Sequence, residues 1–170
     1  MTYDVEQVWT TAAGFRAAVV MGASGHRCGY VGLPAGHPLH GVNYNDSVPG
    51  LNKAALGGPI GKRGIIPVLL ADTDNPSLDV LIDVHGSLTY SREGSKGYPV
   101  ASRGLWWFGF DCSHYNDLPS PEWLATAPPL MQRLYDEMGC IAPERVHRSL
   151  EYCVRECESL AQQLATICDE

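Results

Sequence analysis

Leu105-Trp106-Trp107-Phe108-Gly109-Phe110-Asp111 (LWWFGFD, 105–111) carries four of the chain's seven phenylalanines and tryptophans. Aromatic residues fit a pleated, half-buried surface, and the run is too short for an ordinary helix. Period two puts Trp106, Phe108 and Phe110 on one face and Leu105, Trp107, Gly109 and Asp111 on the other. The first face is predicted to meet the core. Trp107 then lies beside Asp111 and offers a flat ring next to a carboxylate at the strand's end. The competing reading is a core strand with one exposed tryptophan.

Upstream, Val80, Ile82 and Val84 alternate with Leu81, Asp83 and His85, which predicts a second strand over 80–85. The polar loop Ser91–Gly104 would join the two as an antiparallel pair. Tyr3–Thr10 and Phe15–Met21 read as a hairpin turning at Ala12-Ala13-Gly14. Gly22–Gly41 holds six glycines and His26, His37 and His40, so it reads as an irregular loop or short bulged strands rather than a helix, able to rim a pocket. Leu51–Leu56 could form a helical turn and Ile65–Leu70 an edge strand broken by Pro67. Asn116–Pro129 looks irregular, and Leu130–Met138 looks like a short helix. From Pro143 onward Val146, Leu150, Cys153, Val154, Cys157, Leu160, Ala161, Leu164 and Cys168 recur at three and four. That is an amphipathic helix of about 25 residues, roughly 38 Å long. The sum is a single globular domain over 1–170 of α+β class. A mainly antiparallel sheet carries the long C-terminal helix packed on one face.

The chain has 170 residues, with 12 basic against 19 acidic ones and a formal charge of -7. It has no Lys/Arg run, so nucleic acid is not an expected partner. No apolar run approaches the ~20 residues that span a bilayer, so no membrane partner is expected. Asp4 and Glu6, with no early Lys or Arg, do not read as a signal peptide. Six cysteines without a C-x-x-C pair, several on the helical stripe, read as reduced buried thiols in a cytoplasmic protein. Gly57–Arg63 (GGPIGKR) lacks the spacing and the final hydroxyl of a phosphate loop. Lys62 and Arg63 could still touch an anion.

Three places could hold chemistry. Asp83 and His85 share a face, and His85 ends a buried segment beside Gly86, where an acid/base group or a metal ligand would fit. Its bland alternative is a histidine bonded to backbone. Beyond the aromatic strand, Asp111, His114 and Asp117 are spaced at i, i+3 and i+6. If the strands neighbour one another, His85, Asp111 and His114 converge. They could hold a divalent metal or act without one as acid and base. In the glycine-rich segment Cys28 could serve as a nucleophile and His37 as a ligand contact.

Four stretches, CGYVGLPAGHPLHG (28–41), IDVHGSLTY (82–90), LWWFGFDCSHYND (105–117) and LEYCVRECESLAQQL (150–164), carry a resemblance. The chain resembles a group of small, mostly uncharacterised proteins of tailed bacteriophages and prophages. That group usually has two glycines after the strand histidine, where Ser87 stands second here. It also tends to small residues where Tyr115-Asn116 stand. The resemblance implies a phage-linked accessory protein in a bacterial cytoplasm, with nucleotide signals of host defence as one target class.

The expected function is a hydrolase or phosphoesterase acting on a small polar, nucleotide-like molecule. His85, Asp111 and His114 are its expected catalytic residues and its candidate metal ligands. Trp107 and Tyr90 would meet the flat part of the ligand, and Thr89 or Ser91 its polar edge. His37 and Asp117 complete the expected lining. The alternatives are a binding protein that sequesters such a ligand, or an acidic inhibitor of a host protein. An oligomer is compatible with either.

Overall fold

The computed structural model describes residues 3–48, 77–95, 97–141 and 144–166. The predicted turn at Leu51–Leu56, the strand at Ile65–Leu70, the Lys62-Arg63 pair, Pro143 and Cys168 lie outside them.

Strands β1 (Asp4–Thr10) and β2 (Arg16–Met21) form the expected hairpin. Thr11 and Gly14, with Gly14 at φ +87°, turn the chain between them. Strand β3 (Arg27–Pro34) follows, and strands β4 (Tyr90–Glu93) and β5 (Leu105–Asp111) complete an antiparallel sheet ordered β1-β2-β3-β5-β4. A two-stranded parallel ladder joins β6 (Asp117–Leu118) to β7 (Val146–His147), with Asp117 opposite Val146. Helices α1 (Leu78–Leu81), α2 (Pro121–Thr126), α3 (Pro129–Ile141) and α4 (Leu150–Thr166) make up the rest. The fold is α+β, with the C-terminal helix on one face of a mainly antiparallel sheet. Among the described residues no helix is long and apolar enough to cross a membrane.

Helix α4 turns Cys153, Cys157, Leu160, Ala161 and Leu164 onto a core that includes Ala17, Val19, Val31, Phe108 and Phe110. It starts later than the sequence pattern predicts. Residues 146–147 pair as β7, and Ser149 Oγ then accepts from Tyr152 N at 3.1 Å at the helix start. The five described cysteines are free, and the Cys112 and Cys153 thiols share a hydrogen bond at 3.7 Å rather than a disulfide.

Of the two readings of the glycine-rich segment 22–41, loop or short strands, its centre takes the second, while Gly22, Ala23 and Ser24 before it line a cavity. That centre is β3, paired on both sides, with Val31 opposite Phe108. Gly29 and Gly32 are there because neighbouring rings need the space. A Cβ on Gly29 would overlap the Phe110 ring, and one on Gly32 would come within 3.1 Å of Trp107.

Residues 80–85 are not the expected strand. Leu78–Leu81 is one helical turn, and extended chain follows. The alternation survives only from 82 on, where Ile82 and Val84 are buried and Asp83 and His85 are not; in the helical turn Leu81 is buried and Val80 is half-buried. What replaces a neighbouring strand is the side of α4. Gln163 Oε1 accepts from Asp83 N at 2.8 Å, and Gln163 Nε2 donates to Asp83 O at 2.7 Å. Two turns earlier, Glu156 Oε2 accepts from His85 N at 2.9 Å. Helix side chains thus satisfy backbone groups that a ladder would otherwise pair. The strand that does pair with β5 from this region is β4, eight residues beyond Ile82, with Tyr90 opposite Gly109.

Candidate acid–base site

Asp117 enters β6 with its side chain wholly buried. Burial alone would raise its carboxyl, yet the group is held well below the usual carboxylate range. Hydrogen bonds from His85 and Arg148, and from the backbone of His114, outweigh the loss of water. His85 Nε2 lies 2.8 Å from Oδ2, and Arg148 Nε donates to Oδ1 at 2.7 Å. His114 N also donates to Oδ2, at 3.0 Å. The parallel ladder is what brings Arg148 here, since it sets 146–147 against 117–118.

The other ring nitrogen of His85 meets Tyr152 Oη at 2.9 Å. Burial pushes the Tyr152 phenol up to about 12, helped by the charge of Glu156. Asp117 is ionised and can only accept, so Nε2 carries a proton and donates to it. Tyr152 keeps its own proton at neutral pH, and its hydroxyl faces Nδ1. The result is a line Tyr152–His85–Asp117. The Arg148 guanidinium carbon sits 4.9 Å from the centre of the Tyr152 ring. Its terminal amino groups make no hydrogen bond among the described residues.

His114 stands beside this line, with ring centres 5.4 Å apart and planes at 71°. Its Nδ1 is 3.4 Å from Asp117 Oδ2, and 37% of its side chain faces solvent. Gly86, at φ +67°, is the floor on which the ring lies, and a Cβ there would overlap it.

Of the three expected catalytic residues, His85 and His114 meet, and Asp117 occupies the place foreseen for Asp111. Asp111 stands opposite Cys28, on the sheet face away from α4. Its Oδ2 accepts from Thr89 Oγ1 at 2.9 Å and its Oδ1 from Ser113 N at 3.1 Å. Trp107 is not open to a ligand. It is 0% exposed and donates to Ser102 Oγ, because Tyr98, Val100 and Ser102 cover it on the second face of the sheet. His37 is buried and spends both nitrogens on backbone, accepting from Leu39 N and donating to Leu164 O. It fastens the end of α4. Ser91 Oγ accepts from Tyr44 N, and Tyr90 is half-buried on the Trp107 side. Cys28 is a poor nucleophile, since burial pushes its thiol up to about 11.

Donor atoms of His85, His114 and Asp117 lie within 4.8 Å of one another, so they could in principle ligate a cation. The surroundings fit a cation badly. Both carboxylate oxygens already carry donors, and one of these is the Arg148 guanidinium. A divalent ion would have to break the His85 bond and stand beside a fixed positive charge.

Arg148, Tyr152 and Glu156 were invisible as site residues. Their signal is a spacing of four residues, with Glu156 set among the buried stripe of Cys153 and Cys157. A carboxylate there needs a buried donor, which His85 N supplies. No protein family, curated protein or solved structure matches the chain.

Proposed function

We propose that this chain is a metal-independent hydrolase of small, anionic, nucleotide-like molecules, cleaving a phosphoester or related bond by acid–base catalysis. The observation that carries the reading is the line Tyr152–His85–Asp117 with half-exposed His114 beside it. It has the logic of a hydroxyl–histidine–carboxylate triad, with a phenol in the hydroxyl's place.

In the reaction an attacking water gives its proton to the Tyr152 oxygen as Tyr152 passes its own proton to His85 Nδ1. The imidazolium that results is paired with buried Asp117. Protonated His114, whose Nδ1 faces the same carboxylate, gives a proton to the leaving oxygen. One water is consumed, one bond breaks, and solvent then exchanges the proton on His85 and the one missing from His114. The unspent amino groups of Arg148 would hold an anionic substituent of the substrate. The resemblance to phage proteins adds a setting in which the molecule is a nucleotide signal in a bacterial cytoplasm.

The test is chromatography of linear and cyclic nucleotides after incubation with the protein, with and without a chelator. A product should form at the same rate in both cases and vanish in His114→Ala, whose thermal midpoint should move by only a few degrees. A product that disappears with chelator sinks the metal-independent reading. Intact nucleotides throughout sink the hydrolase.

A further inference from the structure

On the sheet face away from α4 there is a cavity of about 700 Å³. That lies within the range of small-molecule sites, roughly 300–1,000 Å³. Tyr3, Tyr90 and Tyr98 form its aromatic wall, and Ser24 and Arg92 add polar groups.

The wall is fixed before any ligand arrives. Tyr3 and Tyr98 meet edge to face at 4.7 Å, and Tyr90 and Tyr98 at 5.8 Å. Tyr30 supports both from below, with ring centres 5.2 Å from Tyr90 and 5.4 Å from Tyr98. Its ring has room because β5 carries Gly109 opposite it, where a Cβ would overlap the Tyr30 ring. Three of the phenols are already bonded, Tyr3 to Gly97 O and Tyr30 to Tyr98. Burial keeps Tyr90 and Tyr98 neutral, pushing both up from the ordinary phenol value.

Two polar groups are left over. Tyr90 and Arg92 alternate along β4 and so share the face that lines the cavity. Among the described residues the Tyr90 hydroxyl makes no hydrogen bond, and the Arg92 guanidinium makes neither a hydrogen bond nor an ion pair. An unpaired guanidinium at the edge of a rigid aromatic wall is chemistry for a flat ring that carries an anion.

We propose that this cavity is a binding site for a planar heterocycle bearing one anionic group, of the nucleoside monophosphate class, separate from the acid–base site. The rings of Tyr90 and Tyr98 take the heterocycle, and Arg92 with the Tyr90 hydroxyl takes the anion. The inference stands apart from the hydrolase reading, because none of its residues belongs to the Tyr152–His85–Asp117 line.

Calorimetric titration with the four common ribonucleoside monophosphates at millimolar concentration tests it, with adenosine and inorganic phosphate as separate arms. At least one monophosphate should bind, more tightly than adenosine or phosphate alone. Arg92→Ala, an exposed position, should weaken that monophosphate by tenfold or more and leave adenosine unchanged. Tyr90→Leu should weaken both, and His114→Ala should weaken neither. If none of the four binds, or if Arg92→Ala binds as the unaltered chain does, the proposal is overturned. Loss of binding in His114→Ala would move the ligand to the acid–base site and overturn the separation.

Discussion

Asp117 keeps a full negative charge where there is almost no water, because three donors meet it there. Replacing it by asparagine removes the charge and leaves Arg148 without its ion pair. The expected cost is about 2–4 kcal/mol, reduced from a fully buried pair because Arg148 is partly exposed. Chemical denaturation at neutral pH measures it. The sign with pH follows from a carboxyl held below its unfolded value of about 3.9. Its stabilisation is fully present above that value and is lost as pH falls toward the depressed folded value. The gap between the unaltered chain and Asp117→Asn should therefore narrow only in strong acid. At this scale the sequence was partly legible. His85, His114 and Asp117 stand out as residue types, but the sequence points to Asp111 as catalytic and to Asp117 as lining. Spacing along a chain does not say which of two carboxylates the backbone buries. Here a two-residue ladder decided it, and so short a pairing leaves no periodic trace.

The segment from Asp83 to His85 shows what a period-two pattern can and cannot say. The pattern reports which side chains are buried, and Ile82 and Val84 are. It does not report what pairs with the backbone. In this fold the partners are Gln163 and Glu156 on one flank of α4. Gln163→Ala should leave the Asp83 amide and carbonyl without that helix partner and cost about 1–2 kcal/mol. It should also loosen the segment that holds His85, so turnover should fall more than stability does. Comparing rates at a temperature where both proteins are folded separates the two effects. β5 and α4 are legible from their periods, and the hairpin from a continuous apolar run after a turn. Strand β3 is only half legible, as loop or short strand, because its glycines admit Phe110 and Trp107, rings that belong to a distant stretch of sequence.

Among the described residues both faces of the sheet are covered in part, one by α4 and the other by Tyr98 and Val100 over Trp107. Counting apolar residues anticipated the first layer and missed the second, which is why Trp107 looked available to a ligand. The same enclosure buries His26 and His37, and burial lowers both below the ordinary histidine value of about 6.5. For a lowered histidine the unfolded chain binds the proton first. The stabilisation is present above about 6.5 and declines as pH falls below it. The urea midpoint should therefore drop on going from neutral to mildly acidic buffer. In His37→Gln that drop should be shallower. An unchanged midpoint across that range would mean these rings are not buried as neutral groups.

The proposed hydrolase rests on one proton path, from the Tyr152 hydroxyl to His85 and its buried carboxylate, along contacts of 2.9 and 2.8 Å. Tyr152→Phe removes the hydroxyl and keeps the ring that packs against His85 and Arg148. The direct measurement is the rate at which this variant cleaves a nucleotide that the unaltered protein cleaves. A loss of about 10²–10⁴-fold is expected, with a thermal midpoint within a few degrees of the original. Turnover at the original rate would contradict it.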